Sequence, residues 1–509
     1  MTTRNSRPFR AARTTCRLTW QATSWPPAPE ALRPHFPGPC HPPAMTASTP
    51  YDTILIGAGM SGLAAGIRLA QFDQRVLVLD RHYLWGGLNS YYKREGRRFD
   101  VGLHALTNFV PKGTRGRPLT RILRQLRIPY DSLRLGEQHG SRSVVGDTDL
   151  HFGNDFELLR GEVARQFPTR ATAFDGMARE LEALPFDVPE GQESARAYLT
   201  RHLGEARLVD LLLLPILFYG SPTPSDVDFP SFVVLWKSLY EEGFARPRGG
   251  IRPLLDALRS RYLELGGELR MKAGVAEILH EDGRVQGVRL DDGTELHSER
   301  VISSAGRVET LSLCEETVAA TCGPEHAGRM TFVESTTLLD QPAPDLGWTD
   351  TIVFFSQGER AVYEEPAEAV SHASGVICCP ENYAGQEPET EGVLRLTLMA
   401  NAEHWMAMSD GEYLAAKEQA WSKGLETAAL YGPDVRKQVV ARDTFTPRTI
   451  ERFTGHLNGA VYGCPHKDKS GTTPLEGLFL CGTDQGYLGI VGAMLSGVAM
   501  ANRHALLPA

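Results

Sequence analysis

Two groups of residues near opposite ends of the chain have the types and spacing to hold a phosphorylated ligand. Gly57-Ala58-Gly59-Met60-Ser61-Gly62 is a complete G-x-G-x-x-G. In such a turn Gly57 makes the tight bend, Gly59 lets the backbone approach a pyrophosphate, and Gly62 lets the following helix pack close to its strand. Asp80 stands 18 residues beyond Gly62, where an acid can bind a ribose 2′-OH. Gly86 and Gly87 follow, with Asn89 and Ser90 as short hydrogen-bond donors behind them. Toward the other end, Gly482 permits close backbone approach and Asp484 can take sugar hydroxyls. Gly489 and Val491 then open a helix of small residues, whose free N–H groups and positive dipole end suit an anion or a polar ring edge. The chemistry these positions share is the grip on one dinucleotide.

The elements needed to position them are legible around the motif. Thr53, Ile54, Leu55 and Ile56 form the short apolar run of a buried parallel strand, and Leu63, Ala64, Ile67 and Leu69 recur at helical spacing. A second strand covers residues 76–79 and ends at Asp80; a hairpin over 91–99 turns at Glu95-Gly96 and leads into Phe99-Asp100-Val101-Gly102. A lone G-x-G-x-x-G carries little weight, but this one has its strand, its helix and its acid. Helical patterns take over at Leu119, Ile122, Leu123, Leu126 and again at Phe174, Met177, Leu181, Leu184. The most apolar part is 208–219, followed by a Ser221-Pro222-Thr223-Pro224 turn and 232–236. Such a lining suits a long hydrocarbon better than a charged small molecule. The same residues also read as an ordinary buried helix pair, or as a segment that dips into a bilayer surface. A helix over 251–265, strands between the turns Asp282-Gly283 and Asp292-Gly293, and a run ending at Ser304-Ala305-Gly306 form a second nucleotide-type segment. Strands over 351–355 and 393–399 and a helix over 411–427 complete the middle of the chain.

Taken together, the acid, the glycine pair, the F-D-x-G turn and the C-terminal glycine-aspartate turn resemble the phytoene desaturase, carotenoid isomerase and retinol saturase group of FAD-dependent oxidoreductases, related to the flavin amine oxidases. The resemblance implies an α/β fold: a doubly wound Rossmann-type FAD-binding domain with an inserted mixed sheet-plus-helix substrate domain. It assigns 51–112, 247–316 and 436–509 to the FAD-binding domain, and 113–246 and 317–435 to the substrate domain. Many relatives carry Arg straight after the glycine pair, where this chain has Leu88; Asn89 and Ser90 are the substitutes. The resemblance further implies that Val275, in a V-x-x-I element, lies beside the adenine. It puts His104 and Arg448 near the flavin as candidate catalytic groups, with Tyr487 and Cys464 as further flavin neighbours. The activity it implies is hydride transfer to or from flavin N5, on a polyene or isoprenoid, at a membrane surface. A retinol saturase-like reductase, a flavin amine oxidase and a non-enzymatic FAD redox sensor remain alternatives. One dinucleotide motif leaves quinone, oxygen or a docking nicotinamide as electron partner.

With net charge -9 and pI near 6.0, the chain is not a nucleic-acid binder by composition. Its 8 cysteines are scattered without a C-x-x-C pair, so neither a zinc site nor a disulfide framework is expected, and a cytoplasmic setting is the simpler reading. No apolar run reaches the ~18 residues of a spanning helix. Residues 1–50 hold ten of the 33 prolines, six arginines and one acid. They read as a disordered extension. Met45 is the expected start, with organelle targeting by residues 1–44 as the alternative.

Overall fold

The structure, a computed structural model, describes residues 50–507 except 103, 187, 190, 192 and 387–389. The expectations for residues 1–49, Met45 included, lie outside the described residues.

Five parallel strands form the first sheet, in the order Leu478–Leu480, Val301–Ser303, Thr53–Ile56, Val76–Asp80, Glu268–Met271. The run Thr53–Ile56 is wholly buried because both faces of the sheet are covered. Alternate side chains serve the two sides. Leu55, Val78 and Ile302 pack beneath the helices Met60–Ala70, Arg252–Glu264 and Gly489–Ala501. Ile54, Ile56, Leu77, Leu79 and Val301 pack against the antiparallel strands Val275–Glu281, Arg284–Leu290 and Glu295–His297.

A seven-stranded sheet forms the second layer system, in the order Val439–Phe445, Thr331–Leu339, Gly392–Ala400, Val370–Cys378, Ile352–Ser356, Ser141–Val145, Thr148–Phe152. Its pairings are antiparallel except that between Ile352–Ser356 and Ser141–Val145. The period of two is again visible: Ile352 and Phe354 face one cluster, Val353 and Phe355 the other. The first cluster holds the helices Ala206–Gly220 and Phe229–Trp236; the second holds the end of the helix Asp410–Ala428. The apolar stretch is therefore interior. Leu208, Leu212, Leu217, Phe232 and Trp236 are each 0% exposed, which overturns the reading in which this stretch dips into a bilayer.

Two elements fall across the expected domain boundaries. The helix Pro118–Leu126 buries Leu119, Ile122, Leu123 and Leu126 in the cluster under the parallel sheet. The strand Val439–Phe445 pairs with Thr331–Leu339 in the other sheet. Periodicity specifies that an apolar stripe must be buried but not against what, so neither partner was readable.

The helices Met60–Ala70 and Gly489–Ala501 touch through backbone. A β-carbon on Gly497 would stand 2.0 Å from the Ser61 carbonyl oxygen, and one on Gly62 would stand 1.9 Å from the Gly57 carbonyl oxygen. Gly497→Val is therefore expected to cost about 3 kcal/mol or more, beyond ordinary overpacking because the obstacle is main chain. Gly161→Ala, on a helix face where a β-carbon would meet nothing within 4 Å, is expected to be neutral or mildly stabilising. Urea unfolding of both variants checks this, and equal stabilities would contradict it.

Candidate active site

The parallel strand Thr53–Ile56 delivers Gly57 at φ +98°, a conformation open to glycine, and a β-carbon there would collide with Ser304 Oγ at 2.2 Å. The next glycine differs. A β-carbon on Gly59 would meet no protein atom within 4 Å, and one on Gly87 would meet only Gly59 Cα at 3.5 Å. The two turns lie side by side, bridged at Gly59 and Gly86, with Gly86 N–H donating to Ala58 carbonyl at 2.9 Å. The result is a cradle walled by main chain at the N-terminus of Met60–Ala70, whose first amides have no intrahelical partner. Asp80 closes it from the second strand. One carboxylate oxygen accepts from Ala58 N–H at 2.7 Å, the other from His82 N–H at 2.8 Å, so this acid braces the glycine loop as well as facing it.

The second turn continues into the hydrogen-bonding positions. Ser90 is buried and its hydroxyl has no partner among the described residues. A buried orphan hydroxyl beside a glycine cradle is what a ligand contact looks like before the ligand is added. Asn89 lies at the Gly102 backbone, where a β-carbon would stand 2.3 Å from Leu88 carbonyl and 3.4 Å from Asn89 Oδ1. From the C-terminal segment, Gly482 comes to Ser61, Gly482 N–H donates to Ser496 Oγ at 2.6 Å, and Gly489 lies beside Thr107. Asp484 is buried and joins three segments: it accepts from Arg307 N–H at 2.6 Å and Cys464 N–H at 2.8 Å, with Lys467 Nζ 3.8 Å away. A carboxylate has about four acceptor positions, so sugar hydroxyls can still be served. Val491 is fully buried in the apolar cluster, which leaves its main chain as the only route to a ligand. Val275 opens the first strand of the three-stranded layer, on the far face of the parallel sheet. The open glycine cradle, the orphan Ser90 hydroxyl and the acids at the ends of two parallel strands fit FAD.

Beyond Gly102 the chain enters a buried polar cluster. Two charged residues interrupt otherwise uncharged strands, Glu334 in Thr331–Leu339 and Arg395 in Gly392–Ala400, and the antiparallel register makes them diagonal neighbours on one face. Arg395 Nε donates to Glu334 Oε1 at 2.7 Å and its NH2 to Val101 carbonyl at 2.6 Å. Arg246 binds Asp100 Oδ2 at 2.7 Å and reaches His104 carbonyl at 3.3 Å, where Tyr383 hydroxyl also donates at 3.0 Å. His104 Nε2 lies 3.1 Å from Thr397 Oγ1 and 3.5 Å from Glu334 Oε2. Burial, then the charges of Arg395 and Arg246, hold the His104 imidazole well below its usual value, so it is neutral at pH 7. Burial raises the Glu334 carboxyl, and Arg395 opposes that rise. Lone opposite charges in two otherwise uncharged strands were the sequence signal for Glu334 and Arg395, which sequence reasoning missed.

An aromatic region adjoins this cluster. Phe218 stacks on Phe332 with centroids 6.0 Å apart and meets Tyr363 edge-on at 5.1 Å; Tyr462 contacts Phe332 at 5.9 Å. Tyr219 lies against Phe244 and Phe354, and its hydroxyl is buried without a hydrogen-bond partner among the described residues.

Arg448 departs from its expected role. Its guanidinium donates to the carbonyls of Trp405 at 3.0 Å and Met408 at 2.5 Å and lies 4.6 Å over Tyr413, so it ends the helix Ala402–Ala407 instead of joining His104. Cys464 is buried with its thiol pushed up by burial, the opposite of an activated nucleophile.

A family profile described as "Flavin containing amine oxidoreductase" matches residues 60–503. The chain is 22% identical to prolycopene isomerase, chloroplastic, of Arabidopsis thaliana, over 89% of this chain and 82% of that one. It is 28% identical to phytoene desaturase (neurosporene-forming) of Rhodobacter capsulatus, over 50% of this chain and 52% of that one. Among solved structures, an oxidoreductase from Methanosarcina mazei superposes with TM-score 0.64 at 18% identity, covering 89% of this chain and all of that one.

Two outcomes are expected from this geometry. Gly59→Val places a side chain in the cradle and against nothing else. Flavin retained on purification, read at ~450 nm, should fall at least about tenfold, while apoprotein stability changes by no more than about 1 kcal/mol. His104 has a native pKa below the ~6.5 of the unfolded chain, so the unfolded state binds more protons between the two values. The stability that neutral His104 contributes is present above pH ~6.5 and is lost as pH falls toward the native value. His104→Gln should therefore reduce the loss of stability on acidification below pH ~6.5, measured by urea unfolding.

Proposed function

The chain belongs to the flavin containing amine oxidoreductases, and we propose that within that family it acts on a long apolar polyene or isoprenoid, as a desaturase or isomerase. FAD is the cofactor. The observation that carries this reading is the interior itself. Phe218, Phe332, Tyr363 and Tyr462 form a continuous aromatic region, and the nearby carboxylate Glu334 is held by Arg395. An ammonium substrate is best met by an unpaired carboxylate, and Glu334 is paired; a polyene needs apolar area. The names of the relatives support the same class, since prolycopene isomerase and phytoene desaturase both denote proteins of carotenoid chemistry.

Bound FAD supplies hydride exchange at N5. The chain's own part is binding and positioning. The Gly57, Gly59, Gly86 and Gly87 backbone with Ser90 would hold the pyrophosphate, Asp80 the adenosine ribose and Asp484 the ribityl hydroxyls. Neutral His104 can accept a proton at Nε2 or donate one there, and Thr397 fixes its ring. The packed aromatic walls exclude water, which a reduced flavin requires. Quinone, oxygen or a docking nicotinamide are the electron partners this reading admits, and the polyene reading brings peripheral membrane contact with it. The FAD-binding domain in this reading comprises the parallel sheet with its two covers, and the substrate domain the seven-stranded sheet with its helices.

The test is anaerobic. Protein with oxidised and with pre-reduced FAD is mixed with a poly-cis polyene in detergent micelles, and separately with primary amines, while the polyene band and the flavin band at ~450 nm are followed. A shift of the polyene band in either redox state, without response to amines, is expected, and Phe218→Ala should slow it at least about tenfold. Flavin bleaching by amines with an unchanged polyene would overturn the reading.

A further inference from the structure

Between Lys112 and Arg134 the sequence carries seven Lys and Arg residues and a single acid, Asp131, in a chain whose net charge is -9. The structure gathers most of them on one surface. The helix Pro118–Leu126 turns Leu119, Ile122, Leu123 and Leu126 inward, which leaves Arg121 and Arg124 exposed along its outer side, with Arg127 just past its end. The preceding loop adds Lys112 and Arg115. A pocket of about 330 Å³ opens among these residues, lined by Arg115, Arg121, Arg124, Thr114, Thr120 and Tyr130 with glycine backbone at its rim.

The pairing pattern separates this face from an ordinary solvated one. Lys112 binds Asp131 at 2.5 Å, and Arg117 approaches buried Glu242 at 3.5 Å. Arg115, Arg121, Arg124, Arg127 and Arg134 form no ion pair among the described residues, whereas most other arginines of the fold are paired. Arg115, Arg121 and Arg124 line one pocket, where uncompensated guanidinium groups repel one another, a cost that an anionic partner removes. The same segment is continuous with the interior: Leu106 N–H donates to Ala245 carbonyl, Asn108 N–H to Ser238 and Phe109 N–H to Gly243, so the residues after His104 run directly out to the basic loop.

We propose that this face, from Lys112 to Arg134 with its pocket, binds the phosphate headgroups of an anionic lipid bilayer and holds the protein against the surface from which an apolar substrate is drawn. The choice of a bilayer rests on the polyene reading, because a polyene partitions into lipid. The binding is electrostatic, since the apolar stripe of the helix is already committed to the core and no side chain of that stripe is left to insert. It therefore depends on the charge of the lipid and weakens with salt.

The experiment is co-sedimentation of the FAD-loaded full chain with phosphatidylcholine vesicles and with vesicles containing about 30 mol % phosphatidylglycerol, at about 0.05 M and about 0.5 M NaCl. Expected is binding to the anionic vesicles at low salt only. Arg121→Glu/Arg124→Glu should weaken it at least about tenfold and Arg121→Lys/Arg124→Lys should preserve it. Both positions are exposed, and unchanged flavin content shows that the variants fold. Wild-type protein that ignores anionic vesicles, or a charge-reversed variant that binds like wild type, would overturn the proposal. So would release of the protein by inorganic phosphate where chloride of equal ionic strength has no effect, because the pocket would then be a small-anion site. Polyene conversion in detergent micelles is measured in parallel. Conversion without vesicle binding removes the membrane face and leaves the activity standing; vesicle binding without conversion removes the activity and leaves the face.

Discussion

Backbone lies directly on backbone where the helix Met60–Ala70 crosses the helix Gly489–Ala501, and the rest of the molecule depends on that contact. Gly497 admits the Ser61 carbonyl at a separation no side chain could share. These residues come from opposite ends of the sequence. Their approach sets the strand Leu478–Leu480 at the edge of the parallel sheet beside Val301–Ser303 and brings Gly482 to Ser61. Asp484 then fastens the same turn to Arg307 and Cys464. A dinucleotide site assembled from both ends exists only when the whole chain has folded. A ligand that binds only that state adds its binding free energy to the stability of the fold.

The F-D-x-G turn is the second dependency. Arg246 and Arg395 approach it from the substrate side, one at Asp100 and the other at Val101, and each is almost wholly buried. Burying such ions costs several kcal/mol apiece, recovered only when the geometry supplies partners for most of their donors. Here the partners are carboxylates and main-chain carbonyls, so the charges are spent on fixing the turn. What they leave in the interior is a neutral imidazole, orphan hydroxyls and aromatic rings. An interior of that kind offers water few partners, which suits the flavin chemistry proposed above.

The nucleotide half was legible in the sequence because its signals are local. A strand, a glycine turn, a helix and an acid at fixed spacing are all consequences of short-range geometry, and the structure puts Gly57, Gly59, Asp80 and Gly86 within one another's reach. The polar cluster was not legible, since Glu334 and Arg395 are 61 residues apart and meet only through antiparallel register. Arg448 was put near the flavin by the resemblance alone; its guanidinium answers to the carbonyls at the end of Ala402–Ala407, a contact between two helices that no local signal shows. The helix Pro118–Leu126 was read correctly as amphipathic, yet its partner cluster could not be inferred from periodicity.

A polyene, the substrate proposed above, offers the protein neither charge nor hydrogen bond, so it would be recognised only by shape and by apolar area. At about 0.8 kcal/mol per buried methylene, two substrates that differ by one isoprene unit differ by several kcal/mol only if the added carbons find packed walls instead of open space. Aromatic rings such as Phe218, Tyr363 and Phe332 provide flat walls at fixed angles, and they are held by the strands and helices behind them. Tyr462 adds a further restraint, since its hydroxyl donates to the Phe218 carbonyl and ties the C-terminal loop to the long apolar helix. The aromatic wall around Phe218 and the loop whose Cys464 amide binds Asp484 are thereby parts of one packed unit. In the reaction proposed above, a substrate pressing on Phe218 would press on a support of the flavin, and a chemically featureless ligand would thereby be placed against the cofactor.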